Sequence, residues 1–282
     1  MKQETLKTWN AYVQATNARL EFGRSSLFRL NEKPDERRRL RQGEILVSSV
    51  GHQDPKPIPS GLIDDWKGTS FIPNTTVDGV FAAVRDYDDY KDFYKPTVVD
   101  SKLLATDGGC DTYSMRVVDK EVLAKIAFDI ENRTCYFRID QQRWYSVTHT
   151  KRVQEILHYG MASQEELPPD QGGGYLWRLY SISRFEQKDG GVYVEVEAIA
   201  LSRDIPFAVR WLVNPIVRRI SINSMFLSLQ QTGNVVRLMM AADKEDRPPV
   251  FARDRSPGGS GSKVVATNRF PGPSPGFTRE GK

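Results

Sequence analysis

The chain has 282 residues, of which 39% are hydrophobic and 27% are charged, and its formal net charge is +4. A chain of this length can bury a core without a metal or a disulfide framework, and its small positive charge does not indicate a nucleic-acid partner. It has no run of about 18 apolar residues, which excludes a helix that spans a membrane.

The first predicted element is an amphipathic helix over residues 4–20. One of its faces is apolar at helical spacing, through Leu6, Trp9, Val13 and Leu20. A polar segment follows, with four arginines within residues 37–41. We interpret these arginines as a solvated linker face, with binding of phosphate or an anionic surface as the alternative. Residues 1–58 are therefore expected to form an N-terminal helix and linker.

A proline-bearing loop over residues 52–60 leads to a predicted strand over residues 62–72. Thr75, with Asp78 three residues later, resembles a capping box and predicts the start of a helix. This helix and a short successor are expected to end before Pro96, because the residue before a proline disfavours the helical conformation.

Alternating apolar and polar residues then predict several strands in quick succession. Their ranges are 97–105, 110–118, 122–130, 134–139 and 144–156, and an acidic loop follows them over residues 157–173. Cys110 and Cys135 fall in two of these strands and could be neighbours. Two cysteines make no disulfide framework, however, so we expect two buried free thiols.

The strongest short-range signal is the pair Asp189–Gly190, which lies between long alternating runs at 174–188 and 191–205. An Asp-Gly pair in this setting predicts a β-hairpin with a two-residue turn. One predicted face of the hairpin is mostly apolar and small, which suits packing under a helix. It carries Trp177, Leu179, Ser181, Ser183, Phe185, Val194, Val196, Ala198 and Ala200.

The other face of the hairpin is amphipathic and places Arg184 opposite Glu195. If this pair is exposed to solvent, it contributes about 0.2–1 kcal/mol to stability. If it points into a cavity, it becomes a polar anchor for a ligand, because a buried ion pair is costly. The sequence leaves both interpretations open.

After residue 206 the apolar period becomes that of a helix, which runs to about residue 240 and is expected to kink near Pro215. Strands followed by one long helix predict an α+β fold, in which a curved antiparallel sheet of about seven strands wraps around the C-terminal helix. The ligand-binding domain is expected over residues 59–242. The Pro-, Gly- and Ser-rich residues 243–282 are expected to be disordered.

No catalytic, cofactor or metal motif is found in the sequence. Histidine occurs only as His52, His149 and His158, which are too scattered for a metal site by spacing. The start of the chain lacks the apolar core of a signal peptide. A cytoplasmic protein is therefore the default expectation, and a periplasmic one is expected if a leader has been removed.

The order of the elements resembles the helix-grip fold of the START-like, Bet v 1-like superfamily (SRPBCC), which includes polyketide cyclase-type and coenzyme Q-binding proteins. The likeness lies in residues 61–72, 74–81, 86–96, 193–206 and 211–215. It covers roughly residues 60–240 and is similar to bacterial members with an N-terminal helical extension. The resemblance implies an apolar cavity between the sheet and the C-terminal helix, which takes lipids, sterols, quinones or polyketides; a minority of members catalyse.

The leading hypothesis is therefore a non-enzymatic carrier of an apolar small molecule, with no cofactor and no nucleic-acid partner. The predicted ligand-binding residues are Phe128, Phe137, Trp177, Tyr180, Arg184, Phe185, Glu195, Trp211 and Val217. The aromatic residues among them can equally be core residues.

Two alternatives use the same scaffold. In the first, the protein is a cyclase- or hydrolase-type enzyme with Glu195 or Glu197 as acid or base. In the second, the terminal helix makes transient contact with a membrane surface. The residues for that contact are Trp211, Met225 and Phe226 with Arg210, Arg218 and Arg219.

Overall fold

The computed structural model describes residues 1–22, 34–51, 55–118, 126–169, 171–205 and 207–245, with side chains described for all of these except 21–22, 207–214 and 243–245. The helices are α1 (Gln3–Phe22), α2 (Pro34–Arg41), α3 (Val77–Val84), α4 (Tyr90–Phe93) and α5 (Phe207–Glu245). The strands are β1 (Leu46–Ser49), β2 (Lys56–Ile58), β3 (Gly61–Pro73), β4 (Val98–Asp107), β5 (Cys110–Val118), β6 (Ala127–Arg138), β7 (Arg143–Leu157), β8 (Glu165–Glu166), β9 (Arg178–Lys188) and β10 (Gly191–Arg203).

The strands of the described residues form one antiparallel sheet in the order β1-β3-β10-β9-β7-β6-β5-β4, with β2 paired to β3 and β8 paired to β7. Seven of them have nine residues or more, which matches the sheet of about seven strands expected from the sequence. The large antiparallel sheet with one long C-terminal helix confirms the predicted α+β, helix-grip architecture.

Three predicted boundaries differ from the structure. The strands expected at 122–130 and 134–139 are one strand, β6, because Asn132 and Thr134 pair with β7 and continue the alternation; residues 122–125 lie outside the described residues. The loop expected at 52–60 contains β2 (its residues 52–54 are also outside the described ranges). The loop expected at 157–173 contains β8.

The two cysteines form a disulfide, which corrects the expectation of free thiols. Cys110 on β5 and Cys135 on β6 are direct partners in the register of the two strands, and their Cα atoms are 4.0 Å apart. The sequence shows that both lie on strands, but only the pairing of those strands decides that they face each other.

The hairpin at Asp189–Gly190 has the predicted register, with Lys188 opposite Gly191 and Arg184 opposite Glu195. Asp189 and Gly190 have φ angles of 55° and 78°, the positive values that a type I′ turn requires at both central residues. The turn therefore sets which side chains of β9 and β10 share a face.

Each face of the sheet carries a helix. The face that we call the inner face packs against α5, which lies on β1 and β3 and beside α3 and α4. Gly68 allows this approach, because a Cβ there would lie 2.5 Å from Met225 Cγ and 2.6 Å from Leu229 Cδ1. Pro215 lies within one continuous helix.

The opposite face, the outer face, packs against α1 and α2. Trp9 and Leu20 of α1 and Leu40 of α2 are buried in one apolar cluster with outer-face side chains of the sheet. The arginine-rich residues 37–41 therefore belong to a helix that is docked on the sheet, whereas the sequence indicated a linker.

Helix α3 begins one residue later than the sequence indicated. Its N-cap is Thr76 and not Thr75, and the Thr76 hydroxyl accepts a hydrogen bond from the backbone N–H of Gly79. The neighbouring Thr75 is buried, so it is not the residue at the open end of the helix.

Replacing Thr76 with Ala is expected to lower the free energy of unfolding by about 1 kcal/mol, because the Gly79 N–H loses its partner. Thr76→Asp keeps a capping oxygen and is the control, with stability close to that of the wild type. Urea denaturation followed by circular dichroism measures both. Equal stability of Thr76→Ala and the wild type would show that this cap does not hold the helix start.

Candidate functional site

The structure distributes the predicted ligand-binding residues over the two faces of the sheet. Phe128 and Phe185 are buried in apolar clusters of the inner face. The outer-face cluster or its flank holds Phe137, Trp177, Tyr180, Arg184 and Glu195. Val217 is half-buried on α5, and the side chain of Trp211 lies outside the described residues. The described side chains among these nine residues therefore lie on both faces of the sheet.

Arg184 and Glu195 are neither exposed nor directed toward α5, which corrects both interpretations of this pair. They lie on the outer face and are each 8% exposed. Arg184 donates from Nη1 to Glu195 Oε1 at 3.0 Å and from Nη2 to Glu197 Oε2 at 3.2 Å. The sequence identified the face correctly, but it did not show that the N-terminal helix covers that face.

Helix α1 adds its own polar groups to this buried cluster. Arg19 Nη2 lies 3.2 Å from Glu197 Oε1, and the Tyr12 hydroxyl donates to Asp65 Oδ2 at 2.7 Å. Burial disfavours the charged form of Asp65 and outweighs the hydrogen bond from Tyr12, which lowers the pKa; with the nearby Glu197 also raising it, the pKa of Asp65 is about 7. Asp65 is thus a buried carboxyl that titrates close to neutrality.

The inner face differs from the outer face in the size of its central side chains. Two rows run across five strands in register. The first row is Trp66, Ala198, Ser181, Thr148 and Thr134, and the second is Gly68, Val196, Ser183, Ser146 and Tyr136. Five strands span about 19 Å, at about 4.8 Å per spacing. Small side chains therefore cover a wide central part of this face, which we call its floor.

Most of these central residues remain partly accessible although they lie on the side of α5, whereas Ser146 and Thr134 are buried. Ala198, Ser181, Thr148, Val196 and Ser183 are each half-buried, whereas their outer-face neighbours on β9 and β10 are buried. Helix α5 packs at the β1–β3 side of the sheet. The floor between β10 and β6 is therefore left partly open. We call this region the inner cleft.

Aromatic side chains border the inner cleft on the side of α3 and α4. The Phe81 ring of α3 packs edge-on against Trp144 and Phe185, with centroids 4.9 and 5.2 Å apart. Tyr94 and Thr232 share a hydrogen bond of 2.9 Å between their hydroxyl groups, which ties α4 to α5. The border of the cleft is therefore apolar with a few hydroxyl groups.

A buried polar atom of the inner face lacks a hydrogen-bond partner among the described residues. The Asn132 side chain is 2% exposed, and its Oδ1 has no hydrogen-bond partner among the described residues. Beside it on β5, Tyr113 is buried, which raises its pKa to about 12. A buried carbonyl oxygen without a donor is costly, so a ligand hydroxyl or amide would stabilise it.

The sequence analysis did not single out Asn132 or the buried acid Glu155. Glu155 is 2% exposed on the same side of β7. Burial raises its pKa, and the backbone N–H groups of Gly173 and Gly174 oppose that shift. The extra residue of β7 at the Glu131–Asn132 irregularity shifts the alternation that would have placed Glu155. Asn132 was missed because it falls between the strands predicted at 122–130 and 134–139.

The described residues also bear on a metal site, a membrane-spanning helix and a membrane contact of the terminal helix. Within them, no group of three or more His, Cys, Asp and Glu side chains is placed to hold a metal. None of the described helices has the length and apolar character needed to cross a bilayer. Met225, which the membrane-contact alternative included, is 7% exposed and packs into the inner core, while Phe226 is 40% exposed.

A search of solved structures finds proteins of the kinds that the sequence resemblance indicated. A STAR-related lipid transfer protein fragment from Xanthomonas axonopodis is 17% identical, with 68% of this chain and 98% of that chain covered and a TM-score of 0.44. The Zhui aromatase/cyclase from a Streptomyces species is 10% identical, with 64% and 98% covered and a TM-score of 0.44. At these values nothing about ligand or activity carries over to this chain.

No family model matches the chain, and the search of curated proteins finds no match. The helix-grip description therefore stands on the element order, the sheet topology and the position of α5 described above.

Replacing Arg184 with Met is expected to lower the free energy of unfolding by about 3–5 kcal/mol, because Glu195 and Glu197 stay buried without their main partner. Arg116→Met is the matched control. It removes a bidentate pair with Asp129 in which both side chains are about 30% exposed, and such pairs contribute about 0–1 kcal/mol. An Arg184→Met protein with wild-type stability would contradict the structural role of this cluster.

The stability of the protein is expected to fall as the pH rises from about 4 to 7, in part through Asp65. Its pKa is about 7 in the folded protein and about 3.9 in an unfolded chain. The folded state therefore holds the extra proton in this range, and that stabilisation disappears as the pH rises. Asp65→Asn removes this contribution, which is as much as about 4 kcal/mol.

Urea denaturation at pH 4.5, 5.5, 6.5 and 7.5 tests this expectation. The stability of Asp65→Asn relative to the wild type should rise across the series. Asp140→Asn is the control, because the hydrogen bond from Arg143 lowers the pKa of this exposed carboxyl, and its replacement leaves the slope above pH 5 unchanged. A wild-type and Asp65→Asn difference that is constant with pH would refute a protonated, buried Asp65.

Proposed function

We propose that the protein binds an apolar small molecule in the inner cleft, between the sheet and α5. The observation that carries this proposal is the half-buried floor of small side chains on the inner face, whose outer-face neighbours Ile182, Glu197 and Ile199 are buried. A sheet face that packs only against its own helix normally buries its central residues. Here the helix lies to one side, and the remaining space is bordered by aromatic rings.

The composition of the cleft favours a ligand that is mainly hydrocarbon. Trp66, Phe81 and Phe185 surround a floor of Ala, Ser, Thr and Val side chains. Binding sites for small molecules are typically apolar with a few placed polar groups. Burying ligand hydrocarbon there would contribute roughly 25 cal/mol per Å².

The Asn132 carbonyl oxygen supports a ligand with one hydrogen-bond donor at one end. It lies beside Tyr113 at the β5–β6 side of the inner face, and a partner for it would offset the cost of its burial. A sterol or a reduced quinone has this combination of a large apolar body and a hydroxyl group.

The geometry supports binding without assigning catalysis to Glu195 or Glu197. Both carboxylates are paired with Arg184 on the outer face, so neither reaches a molecule in the inner cleft. The proposal therefore concerns a carrier or binding protein.

The disulfide favours an oxidising compartment as the place where this binding occurs. Disulfides persist in secreted and periplasmic proteins and are rare in the reducing cytosol. Cys110 and Cys135 are paired in the folded protein, so we propose an extracytoplasmic location in place of the cytoplasmic default.

Replacing Ala198 with Trp is expected to fill the floor of the cleft and to weaken binding of dehydroergosterol or decylubiquinone at least tenfold. Lys102→Trp places the same side chain on an exposed position of β4 and should leave binding unchanged. Asn132→Ala should weaken binding of the sterol more than that of the quinone in its oxidised form, which has no hydroxyl donor. Fluorescence titration of delipidated protein measures all three.

Absence of any binding of both probes, together with a native mass spectrum that shows no retained small molecule, would refute the proposed function. Equal loss of binding in Ala198→Trp and Lys102→Trp would also contradict it, because the cleft would then have no special part in binding.

A further inference from the structure

A gap interrupts the sheet between the ends of β7 and β10, and irregular backbone fills it. The pairing of β7 with β9 stops at His149–Tyr180. Beyond that point β7 continues to Leu157, and among the described residues only the two residues of β8 pair with it on this side. Strand β10 also continues past the start of β9, to Arg203. Residues 171–177, which we call the strap, contact both strand ends.

The strap is fastened to β10 by two backbone hydrogen bonds. The N–H of Arg203 donates to the Gly174 carbonyl at 2.7 Å, and the N–H of Trp177 donates to the Leu201 carbonyl at 2.8 Å. The Arg203 guanidinium also lies over the Tyr175 ring, 4.9 Å from its centroid. Among the described residues, no backbone–backbone hydrogen bond joins the strap to β7, so only the β10 side is held in this way.

On the side of β7 the strap rests on the side chain of Glu155. A Cβ on Gly172 would collide with Glu155 Oε2, and a Cβ on Gly173 would lie 3.0 Å from Oε1. Glycine at these two positions therefore allows the backbone to lie directly on the carboxyl group. Glu155 is 2% exposed, yet neither of its carboxyl oxygens has a hydrogen-bond partner of good geometry among the described residues. The contact is close but leaves the carboxyl group unsatisfied.

An apolar cluster of the inner face lies beneath the strap. Phe128 is the direct register partner of Glu155, so the carboxyl group borders this cluster. Leu176 of the strap and Leu179 of β9 pack against its buried members, which are Ile126, Phe128, Ile130 and Val153. Leu179 precedes Ser181 on the same face of β9. The cluster therefore adjoins the floor of the inner cleft, and the strap covers that end of it.

The groups closest to Glu155 compensate its charge only in part. Burial raises the pKa of Glu155, and it outweighs the N–H groups of residues 173–174 and the charge of Arg203, which lower it. Arg203 is exposed to solvent, where its attraction is screened. The neutral form of the acid is therefore the one that suits the closed strap.

The other titratable groups of the neighbouring elements do not offset this effect. The acids of β8, Glu165 and Glu166, are exposed. Asp129 of β6 follows Phe128 in the alternation, so it lies on the outer face, where it pairs with Arg116. His158, just beyond the end of β7, is exposed. The buried carboxyl group is thus left without a full partner at any charge state.

We propose that the strap is a proton-controlled gate, which stays closed on Glu155 while this side chain is neutral and lifts from β7 when the side chain loses its proton to solvent. A neutral carboxyl group can be buried beside apolar side chains at modest cost, whereas a carboxylate needs water or full hydrogen bonding. Lifting residues 171–176 about Trp177, which stays bonded to Leu201, gives the carboxylate that water.

The direction of the pH effect follows from the raised pKa of Glu155 in the closed state. A glutamate in water has a pKa of about 4.3, so the closed strap holds the proton more tightly than the open strap does. The resulting stabilisation of the closed strap is fully present at low pH and is lost as the pH rises through the pKa of the buried acid.

Hydrogen exchange measured by NMR on the ligand-free, full-length protein tests the gate. The protection factor of the Arg203 N–H, whose partner is Gly174, is expected to fall by about fivefold or more between pH 4.5 and pH 8. The Trp177 N–H is the internal control, because its bond to Leu201 lies at the hinge and should keep its protection. Protection factors remove the intrinsic effect of pH on exchange.

Two matched variants assign the effect to one acid. Glu155→Gln is a neutral isostere, so Arg203 should keep at pH 8 the protection that the wild type shows at pH 4.5. Glu166→Gln removes an exposed acid of the neighbouring β8 and should leave the wild-type pH response unchanged. A wild-type Arg203 protection factor that is constant with pH, or equal responses of the two variants, refutes the gate.

A further pair of variants tests the close contact itself. Gly172→Ala adds a Cβ that collides with the Glu155 carboxyl group, so it should lower the protection of Arg203 even at pH 4.5. Gln171→Ala changes the exposed neighbouring position and should behave as the wild type does. Wild-type protection in Gly172→Ala would contradict a strap that rests on the carboxyl group.

The part of the gate in ligand entry rests on the proposed function. If the inner cleft takes an apolar molecule, dehydroergosterol should dissociate several times faster at pH 8 than at pH 4.5 from the wild type, and at one rate from Glu155→Gln. Loss of Arg203 protection with rising pH in a protein that binds no probe supports the gate and refutes the proposed function. Probe binding with pH-independent protection refutes the gate alone.

Discussion

The two-residue turn at Asp189–Gly190 is the constraint on which both faces of the sheet depend. The positive φ angles of its two residues leave only one register for β9 and β10, and a shift by one residue would exchange every side chain between the faces. In the observed register the small residues of both strands share the inner face, and Arg184, Glu195 and Glu197 share the outer one. The proposed binding in the inner cleft rests on this separation.

The outer face shows how a polar cluster can be buried at the centre of a sheet. Arg184 is bonded to two carboxylates of β10, and α1 supplies Arg19 and Tyr12 above them. Burial of charges is tolerated only when nearly every group has a partner. The helix is therefore positioned by polar contacts at defined points along its length, more closely than its apolar stripe alone would require. The concavity between α1 and strands β6, β7 and β9 is a consequence of that positioning.

On the inner face the same sheet has an opposite design, with small residues in the middle and large ones at the border. Helix α5 lies close to β3 because Gly68 has no side chain there, and it is tied to α4 through Tyr94 and Thr232. This asymmetric placement leaves the centre of the face partly open.

Local patterns in the sequence determined the elements of this protein, including α1, the hairpin and its register, the number of long strands and the final helix, because periodicity and turn chemistry act over a few neighbouring residues. The tertiary structure alone decided the pairing of Cys110 with Cys135, the continuity of β6, and the burial of Arg184 beneath α1. It also decided which predicted site residues share a face. Those features depend on contacts between residues far apart in the chain. The alternation of apolar and polar residues within one strand does not show which helix packs on that strand.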